Sequence, residues 1–248
     1  MKVLLVDGFN LIRRIYEARP EPDIDSVITA SLQSLQRAMR EHTPTHVVMV
    51  FENHDRTWRH LLYKDYKANR SPTPTALTEG MSKFEASFQE IGVNSFSLDS
   101  YEADDVIATF AYGIEAAEND AVILSTDKMY LQLLSSHIRI VNHFEHKDIT
   151  ETDVVERYGV KKQQLIDYWA LVGDSSNNIK GVPGVGAKSA LSLLARYDSL
   201  DEILSSSETD TMTLKVIQNM ALAKRCKQLV TLKTDVELGT NLRRFRIR

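Results

Sequence analysis

A glycine-rich turn is the feature that most restricts how this chain folds. Residues 181–186 read Gly-Val-Pro-Gly-Val-Gly and lead directly into the amphipathic segment 187–196. Glycine tolerates positive φ angles and lets a backbone or a ligand approach closely, while Pro183 restricts the path of the turn. We therefore predict a tight turn here and a helix that begins at Ala187.

The start of this predicted helix suits a phosphate group. Its first N–H groups are unpaired and partly positive, and Lys188 adds a formal charge. The layout is that of a helix-hairpin-helix over about residues 171–196, which contacts the nucleic-acid backbone rather than the bases. Gly-x-x-Gly alone is equally compatible with a glycine-capped connection between two core helices. The residues predicted to contact the backbone are Gly184, Val185, Gly186, Ala187, Lys188 and Ser189.

Composition excludes several classes of protein. The single cysteine among 248 residues excludes a disulfide framework and a multi-cysteine zinc site, and it fits a reducing, cytoplasmic setting. We expect no signal peptide and no membrane span, because apolar runs stay far below ~20 residues. The net charge of −4 is unusual for a nucleic-acid-binding protein. Basic residues nevertheless concentrate at 56–70 and 242–248, where a basic track and an ordinary solvated face are both compatible with the pattern.

Apolar runs that alternate with amphipathic segments predict an α/β fold. We predict strands at Lys2–Val6, Thr45–Phe51, Ser95–Leu98, Ala121–Ser125 and Ile138–Val141, and helices at Asp25–Glu41, Thr78–Ile91, Ala103–Ala117 and Tyr130–Leu134. This order favours a mostly parallel sheet flanked by helices. Helices and polar turns predominate from about residue 150, so we predict a core over 1–150 and a helical region with a C-terminal tail over 151–248. The polar, basic stretch 53–75 is predicted to project from the core as a helix followed by a loop.

Acidic residues follow the predicted strands. Asp7 follows the first strand, Glu52 the second, the cluster 102–105 (Glu-Ala-Asp-Asp) the third and Asp127 the fourth. A single Asp after a strand is more often a turn former or an N-cap. Several carboxylates at one sheet edge repel one another, however, and require a hard cation such as Mg²⁺ or Mn²⁺. A metal site together with a phosphate-binding hairpin indicates phosphodiester hydrolysis.

Five motifs in this order resemble the bacterial 5′-nuclease, or flap endonuclease, family. They are Val6-Asp-Gly-Phe-Asn10, Tyr66-Lys-Ala-Asn-Arg70, Glu102-Ala-Asp-Asp105, Thr126-Asp-Lys128 and the glycine-rich stretch 173–186. The resemblance runs from Met1 to about Tyr197 and is greatest to the stand-alone exonuclease IX type. It implies a PIN-like nuclease core with a helical arch at about 53–75. It also implies a monomer without an organic cofactor that acts on DNA carrying a 5′ flap or a 5′ end at a branch or nick.

The resemblance further implies roles for individual residues. A first Mg²⁺ (or Mn²⁺) site would be formed by Asp7, Glu52, Glu102, Asp104, Asp105 and Asp127. Lys67 and Arg70 would contact the scissile phosphate and count, with Asp104, as catalytic residues. Tyr66 would stack on a base, and Arg56 and Arg59 would line the arch. A K⁺ ion would be held by the backbone carbonyls of Leu171, Val172, Lys180, Val182 and Val185.

Two departures from the family pattern affect a second metal site. Met129 and Asn177 stand where the family carries Asp, which leaves Asp174 there without the other two carboxylates. A thioether does not replace a carboxylate for Mg²⁺. We therefore expect a slow, Mg²⁺-dependent flap endonuclease whose cleavage rises with Met129→Asp and Asn177→Asp together. The alternatives are a non-cleaving, K⁺-dependent binder of branched DNA and a ribonuclease on the same core.

Overall fold

The chain forms two compact units. The computed structural model describes residues 1–20, 22–53 and 56–247. The first unit comprises Met1–Asp55, Pro72–Ile149 and Lys233–Arg248, and the second comprises Arg56–Ser71 and Thr150–Leu232. This division differs from the predicted one at two segments, since the C-terminal tail belongs to the first unit and residues 56–71 belong to the second.

Strands and helices alternate in the first unit, as the apolar pattern predicts. The β-strands are β1 Lys2–Asp7, β2 His46–Val50, β3 Asn94–Phe96, β4 Asp120–Leu124, β5 Ile138–Asn142 and β6 Lys147–Ile149. The α-helices of the whole chain are α1 Gly8–Glu17, α2 Ile24–His42, α3 Trp58–Leu62, α4 Thr75–Glu90, α5 Ala103–Ala116, α6 Glu151–Tyr158, α7 Leu165–Val172, α8 Ala187–Arg196, α9 Leu200–Ser205, α10 Thr211–Gln218 and α11 Met220–Val230.

The strands form one sheet in the order β3-β2-β1-β4-β5-β6. Strands β1 to β5 pair in parallel, and β6 pairs antiparallel with β5 at the edge. β1 lies in the centre, where every residue after Lys2 is buried. Central strands covered on both faces need apolar side chains throughout, which explains the uninterrupted apolar runs in the sequence. The predicted fold, a mostly parallel sheet flanked by helices, is confirmed.

Two elements of the first unit are not predicted by the sequence pattern. α1 begins directly after Asp7, whose carboxylate accepts a hydrogen bond from the N–H of Asn10 and so caps the helix. The Asp-Gly pair, which is typical of a turn, is therefore a helix start in this chain. β6 has only three residues and follows a tight turn, which is too short for a recognisable alternation pattern.

The second unit consists of helices joined by short turns. α6 starts with a capping box, in which Thr150 and Asp153 exchange hydrogen bonds, and ends at Gly159, whose φ of 73° is left-handed. α7 and α8 flank the glycine-rich turn, and α8 spans the residues predicted for it. Among the described residues, no helix combines the length and apolarity that a bilayer crossing requires.

The helix predicted within residues 53–75 is short, and its projection from the core stays a prediction. The structure has the five-residue helix α3, followed by turns up to residue 69, and residues 54 and 55 lie outside the described part of the chain. Thr57 and Arg59 are buried, which shows that residues 56–71 of this stretch are packed within the second unit. A basic composition alone does not distinguish a projecting helix from a packed one.

Candidate functional site

Acidic residues lie at the carboxyl edge of the sheet in the first unit. Asp7 ends β1 and is in register with Val50 of β2, two residues before Glu52. Val6 is in register with Leu124 of β4, three residues before Asp127. Because these strands are parallel and adjacent, the three acids leave the sheet at the same edge.

Asp7 carries a strongly perturbed carboxylate at this edge. It is buried, and burial raises its pKa from 3.8 to about 7; the negative charges of Asp127 and Glu52 add to the increase. Hydrogen bonds from the Asn10 N–H (3.1 Å) and the Ser125 hydroxyl (3.0 Å) oppose the increase. The nearby negative charges therefore disfavour the ionised form of Asp7, and a bound cation would offset their repulsion.

Tyr130 joins two of the predicted ligands. Its hydroxyl donates to Oδ1 of Asp104 at 2.8 Å and lies 3.4 Å from Oδ2 of Asp7. Burial and the charges of Asp104 and Asp7 raise its pKa well above 10, so the hydroxyl stays protonated and remains a donor. Sequence reasoning did not identify this residue, which lies three residues after Asp127 in a 3₁₀ turn.

Asp105 has a structural role that the sequence analysis did not assign. The residue is fully buried, and its Oδ1 accepts a hydrogen bond from the N–H of Lys233 at 2.9 Å. This bond fixes the start of the C-terminal segment onto α5. Glu102 is also buried, directly before the first turn of α5 that carries Asp104 and Asp105.

The donor set of this edge fits a hard cation. Within residues 1–20, 22–53 and 56–247, no three Asp, Glu, His or Cys side chains are arranged to hold one ion between them. Mg²⁺ commonly uses one or two carboxylates and completes its shell with waters and substrate phosphate. The oxygen-only chemistry and the raised pKa of Asp7 are compatible with binding of that kind.

Met129, which stands where the family carries Asp, is buried. Its side chain is 3 % exposed, and its N–H donates to Oδ1 of Asp127 at 2.8 Å. An Asp in its place would be a buried charge, which is costly without a partner. The expectation that Met129→Asp, combined with Asn177→Asp, raises cleavage stays a prediction, and it requires a bound cation to offset the new buried charge.

The glycine-rich hairpin lies wholly in the second unit. Gly173, Gly181 and Gly184 all have positive φ angles, between 68° and 85°. A Cβ on Gly181 would lie 2.4 Å from the nitrogen of Gly173 and 2.5 Å from the carbonyl oxygen of Leu171, so the two arms of the loop are in backbone contact. Gly186, Ala187 and Lys188 are exposed at the start of α8, and Ser189 is half-buried. These residues are accessible to a phosphate backbone.

The carbonyls predicted to hold K⁺ lie in this same loop. Leu171 accepts from the N–H of Val182 at 2.8 Å, and Val182 accepts from the N–H of Val185 at 3.0 Å. A carbonyl oxygen has a second lone pair, so these bonds leave acceptor capacity. The K⁺ site, which also includes Val172 and Lys180, stays a prediction.

Asp174 is used to close the turn after α7. It is 2 % exposed, and its Oδ1 accepts from the N–H (3.1 Å) and the hydroxyl (2.7 Å) of Ser176. Its Oδ2 accepts from Nδ2 of Asn177 at 2.7 Å. The carboxylate predicted for a second metal site is thus enclosed by hydrogen-bond donors.

Two of the predicted DNA contacts require correction. Arg59 is 1 % exposed, and its guanidinium donates to the carbonyls of Leu229 (2.9 Å) and Thr231 (3.1 Å), so it does not line a path for a strand. Tyr66 is 4 % exposed, its ring lies nearly perpendicular to that of His60, and it offers no open face for stacking on a base. Arg56 is exposed, as the prediction requires.

The burial of Arg59 gives a stability prediction. Arg59→Met leaves the carbonyls of Leu229 and Thr231 without their donor, and we expect a loss of about 2–4 kcal/mol in the free energy of unfolding. Arg56→Met, at an exposed position, is the matched control and should change stability by less than about 0.5 kcal/mol. Chemical denaturation of the two variants measures both values. Unchanged stability of Arg59→Met, together with weaker binding to a flap strand, would restore the original assignment.

Comparison with known proteins gives consistent matches over the whole chain. Residues 2–159 match the family described as 5′-3′ exonuclease, N-terminal resolvase-like domain, and residues 160–248 match its C-terminal SAM fold. A flap endonuclease Xni of Vibrio vulnificus (strain YJ016) is 39 % identical over 248 residues, covering 98 % of this chain and 96 % of the relative. One of Vibrio cholerae is 38 % identical, covering 99 % and 96 %.

Solved structures share the fold. A crystal structure of the T5 D15 protein with metal ions superposes with a TM-score of 0.77 at 21 % identity, covering 94 % of this chain and 90 % of the other. The catalytic core of Rad2 in complex with DNA substrate gives a TM-score of 0.59 at 13 % identity, covering 94 % and 80 %. At these identities the likeness concerns the fold alone.

Proposed function

The chain belongs to the 5′-3′ exonuclease family, and from that membership we propose that it is a metal-dependent nuclease acting on DNA. Its substrates are 5′ flaps and 5′ ends beside a branch or nick. The observation that carries the metal dependence is Asp7, a buried carboxylate whose pKa is raised to about 7 beside Asp127 and Glu52. A buried carboxylate with like-charged neighbours needs a cation to ionise fully at neutral pH.

The acids of the sheet edge are the proposed ligands. One or two at a time of the carboxylates of Asp7, Glu52, Asp104 and Asp127 would hold Mg²⁺ or Mn²⁺, with Glu102 directly before α5 and Asp105 in its first turn as further candidates. A divalent ion held there would lower the pKa of a bound water and stabilise the leaving oxyanion. Tyr130 keeps its proton and orients the carboxylates of Asp104 and Asp7, which limits the number of positions they adopt before a metal arrives.

The second unit supplies the proposed DNA contacts. The exposed start of α8, with Gly186, Ala187 and Lys188, would hold a duplex phosphate independently of base sequence. K⁺ bound to loop carbonyls would strengthen that contact. Lys67 and Arg70 would contact the scissile phosphate. We further propose that the protein acts as a monomer in the cytoplasm.

A second function, binding of branched DNA without cleavage, is supported by one observation. Met129 is buried and has no oxygen ligand, and the carboxylate of Asp174 already accepts three hydrogen bonds, which supports a weakened second ion site. Catalysis with two metal ions stabilises both the attacking and the leaving oxygen, whereas a single ion stabilises these two oxygens less. This observation supports slow cleavage and is also what a non-cleaving binder would show.

Single-turnover cleavage of a 5′-flap duplex distinguishes the two functions. We expect product in Mg²⁺ with K⁺, none in EDTA, and a loss of about a hundredfold or more in Asp104→Ala. Asp120→Ala is the matched control. Asp120 is exposed at the start of β4, whereas Asp127 follows the other end of this strand. K⁺-stimulated binding to the flap substrate without product in Mg²⁺ or Mn²⁺ would favour the non-cleaving binder.

A further inference from the structure

Two short segments far apart in the sequence are joined in the second unit. We call residues 65–70 the arginine segment and residues 174–178 the asparagine turn. Five hydrogen bonds connect them: Lys67 N to Asn177 O (3.0 Å), Asn69 Nδ2 to Ser175 O (2.7 Å), Arg70 Nε to Ser176 O (3.2 Å), Arg70 Nη2 to Asn177 Oδ1 (2.7 Å) and Asn178 Nδ2 to Asp65 O (2.7 Å). The position of Arg70 is therefore set by the turn that leads into the hairpin.

The side chain of Asn177 is the centre of this connection. Its Nδ2 donates to Oδ2 of Asp174 at 2.7 Å, and its Oδ1 accepts from Nη2 of Arg70 at 2.7 Å. Asn177 is 3 % exposed and Asp174 is 2 % exposed, so the two are held inside the fold while Arg70 is exposed. An amide is required here, because one end must donate to a carboxylate and the other must accept from a guanidinium.

The neutrality of the amide matters for Arg70. A carboxylate in place of Asn177 would pair with the guanidinium and offset its positive charge. The neutral amide oxygen of Asn177 orients the guanidinium of Arg70 without offsetting its positive charge. A guanidinium has five N–H donors, so the two hydrogen bonds to Ser176 and Asn177 leave donors for a phosphate.

The backbone of the arginine segment has a constrained conformation at the same point. Lys67 has a φ of 57°, a left-handed value that is uncommon for a residue with a side chain. Its N–H is the one that donates to the carbonyl of Asn177. Uncommon backbone conformations persist where the surrounding structure holds them, and they are frequent at functional sites.

We propose that Asn177 is a positioning residue of the nuclease reaction, which ties the exposed guanidinium of Arg70 to the buried carboxylate of Asp174 so that Arg70 is oriented before the scissile phosphate arrives. The role rests on the proposed function, in which Arg70 contacts that phosphate. Asn177 itself does not touch the substrate. Its effect on the rate is transmitted through Arg70.

A double-mutant cycle tests this transmission. Single-turnover cleavage is measured for the wild type, Asn177→Ala, Arg70→Ala and the double variant. We expect Asn177→Ala to slow cleavage about 10- to 100-fold, because small misplacements of a reacting group have effects of that size. In the double variant we expect the rate of Arg70→Ala alone, because the amide then has no guanidinium to orient. Duplex affinity in EDTA and the melting temperature are recorded for each protein.

Asn69→Ala is the matched control. It removes one hydrogen bond between the same two segments and leaves both hydrogen bonds of the Arg70 guanidinium in place, and we expect the rate to fall less than about threefold. If Asn177→Ala does not fold, the cycle is repeated with Asn177→Ser, which keeps a donor near Asp174 and lacks the oxygen that Arg70 uses.

Two results would overturn the positioning role. One is an Asn177→Ala rate equal to that of the wild type. The other is a double variant slower than Arg70→Ala by the full factor of Asn177→Ala, which would assign Asn177 to the turn alone. An inert wild type, or an Arg70→Ala variant at the wild-type rate, would instead contradict the proposed function of Arg70 and this role with it.

Discussion

Asp7→Asn is expected to abolish cleavage and, in the absence of metal, to stabilise the protein. Loss of a charged ligand at the centre of the acidic edge should reduce the single-turnover rate on the order of a thousandfold. A pKa that rises from 3.8 to about 7 corresponds to ~4 kcal/mol. We expect the variant to recover about half of that, since the new amide must remake the contacts with Asn10 and Ser125. The opposite signs of the two effects make this substitution diagnostic.

The pH dependence of the stability of the metal-free protein follows from the same value. The folded-state pKa of Asp7 lies above its unfolded value, so its contribution to stability is fully present below pH 3.8 and is lost as the pH rises through about 7. The advantage of Asp7→Asn should therefore be about 2 kcal/mol at pH ~8 in EDTA. Towards pH ~4, where the wild-type carboxyl is protonated, it should turn into a disadvantage of about 2 kcal/mol, because only the cost of the remade contacts is left. Denaturant unfolding at these two pH values measures it.

Metal ions should reverse the order of stability of the wild type and Asp7→Asn. Mg²⁺ binds the folded wild type and raises its melting temperature by mass action, whereas Asp7→Asn should respond much less. Asp120→Asn, exposed at the other end of the sheet, serves as the control and should behave like the wild type throughout. An Asp7→Asn protein less stable than the wild type at pH ~8 in EDTA would show that burial does not raise the pKa of this carboxyl.

Gly181→Ala is expected to disrupt the hairpin. The added Cβ would lie 2.4 Å from the Gly173 nitrogen and 2.5 Å from the Leu171 carbonyl oxygen, and both are backbone atoms that side-chain rotation cannot move. The φ of 68° adds a further cost for a residue with a side chain. We expect a loss of about 3 kcal/mol or more in the stability of the second unit and roughly a hundredfold weaker duplex binding.

Gly92→Ala separates the cost of a positive φ angle from the cost of a clash with backbone atoms. Gly92 has a φ of 81°, but a Cβ there would meet no atom within 4 Å, so only the conformational cost of about 1 kcal/mol should be seen. Hydrogen exchange of the Gly181→Ala protein should show lost protection in α7 and α8 with β1 and β4 still protected. Normal duplex affinity and normal protection would mean that the loop arms separate easily and that their contact is not needed.

Much of the first unit could be predicted from the sequence because its strands are buried on both faces. Continuous apolar runs give the positions of β1, β2, β4 and β5, and the acids that follow them indicate the edge where ligands bind. The glycine-rich turn likewise predicts α8 with its observed bounds. In each case the signal is local, because a few consecutive residues determine the element.

Long-range contacts could not be predicted in this way. The guanidinium of Arg59 is inside the fold and that of Arg70 is outside it, although both belong to the same basic stretch. The two arginines differ in the backbone carbonyls that accept their hydrogen bonds, and these carbonyls lie far along the chain. Arg59 donates to Leu229, and Arg70 donates to Ser176. Charge and periodicity carry no information on such partners. The hydroxyl of Tyr130 was missed for the same reason.

The return of the chain to the first unit at Lys233 has a consequence for its biosynthesis. The buried carboxylate of Asp105 receives the Lys233 N–H only after the whole segment 150–232 has been made. At about 5–20 residues per second, translation of that segment takes roughly 4–17 s. During that time the nascent sheet already carries its acidic edge but lacks its closing segment. A chain whose synthesis ends within the segment would therefore lack this contact, and its incomplete core would be a substrate for chaperones and proteases.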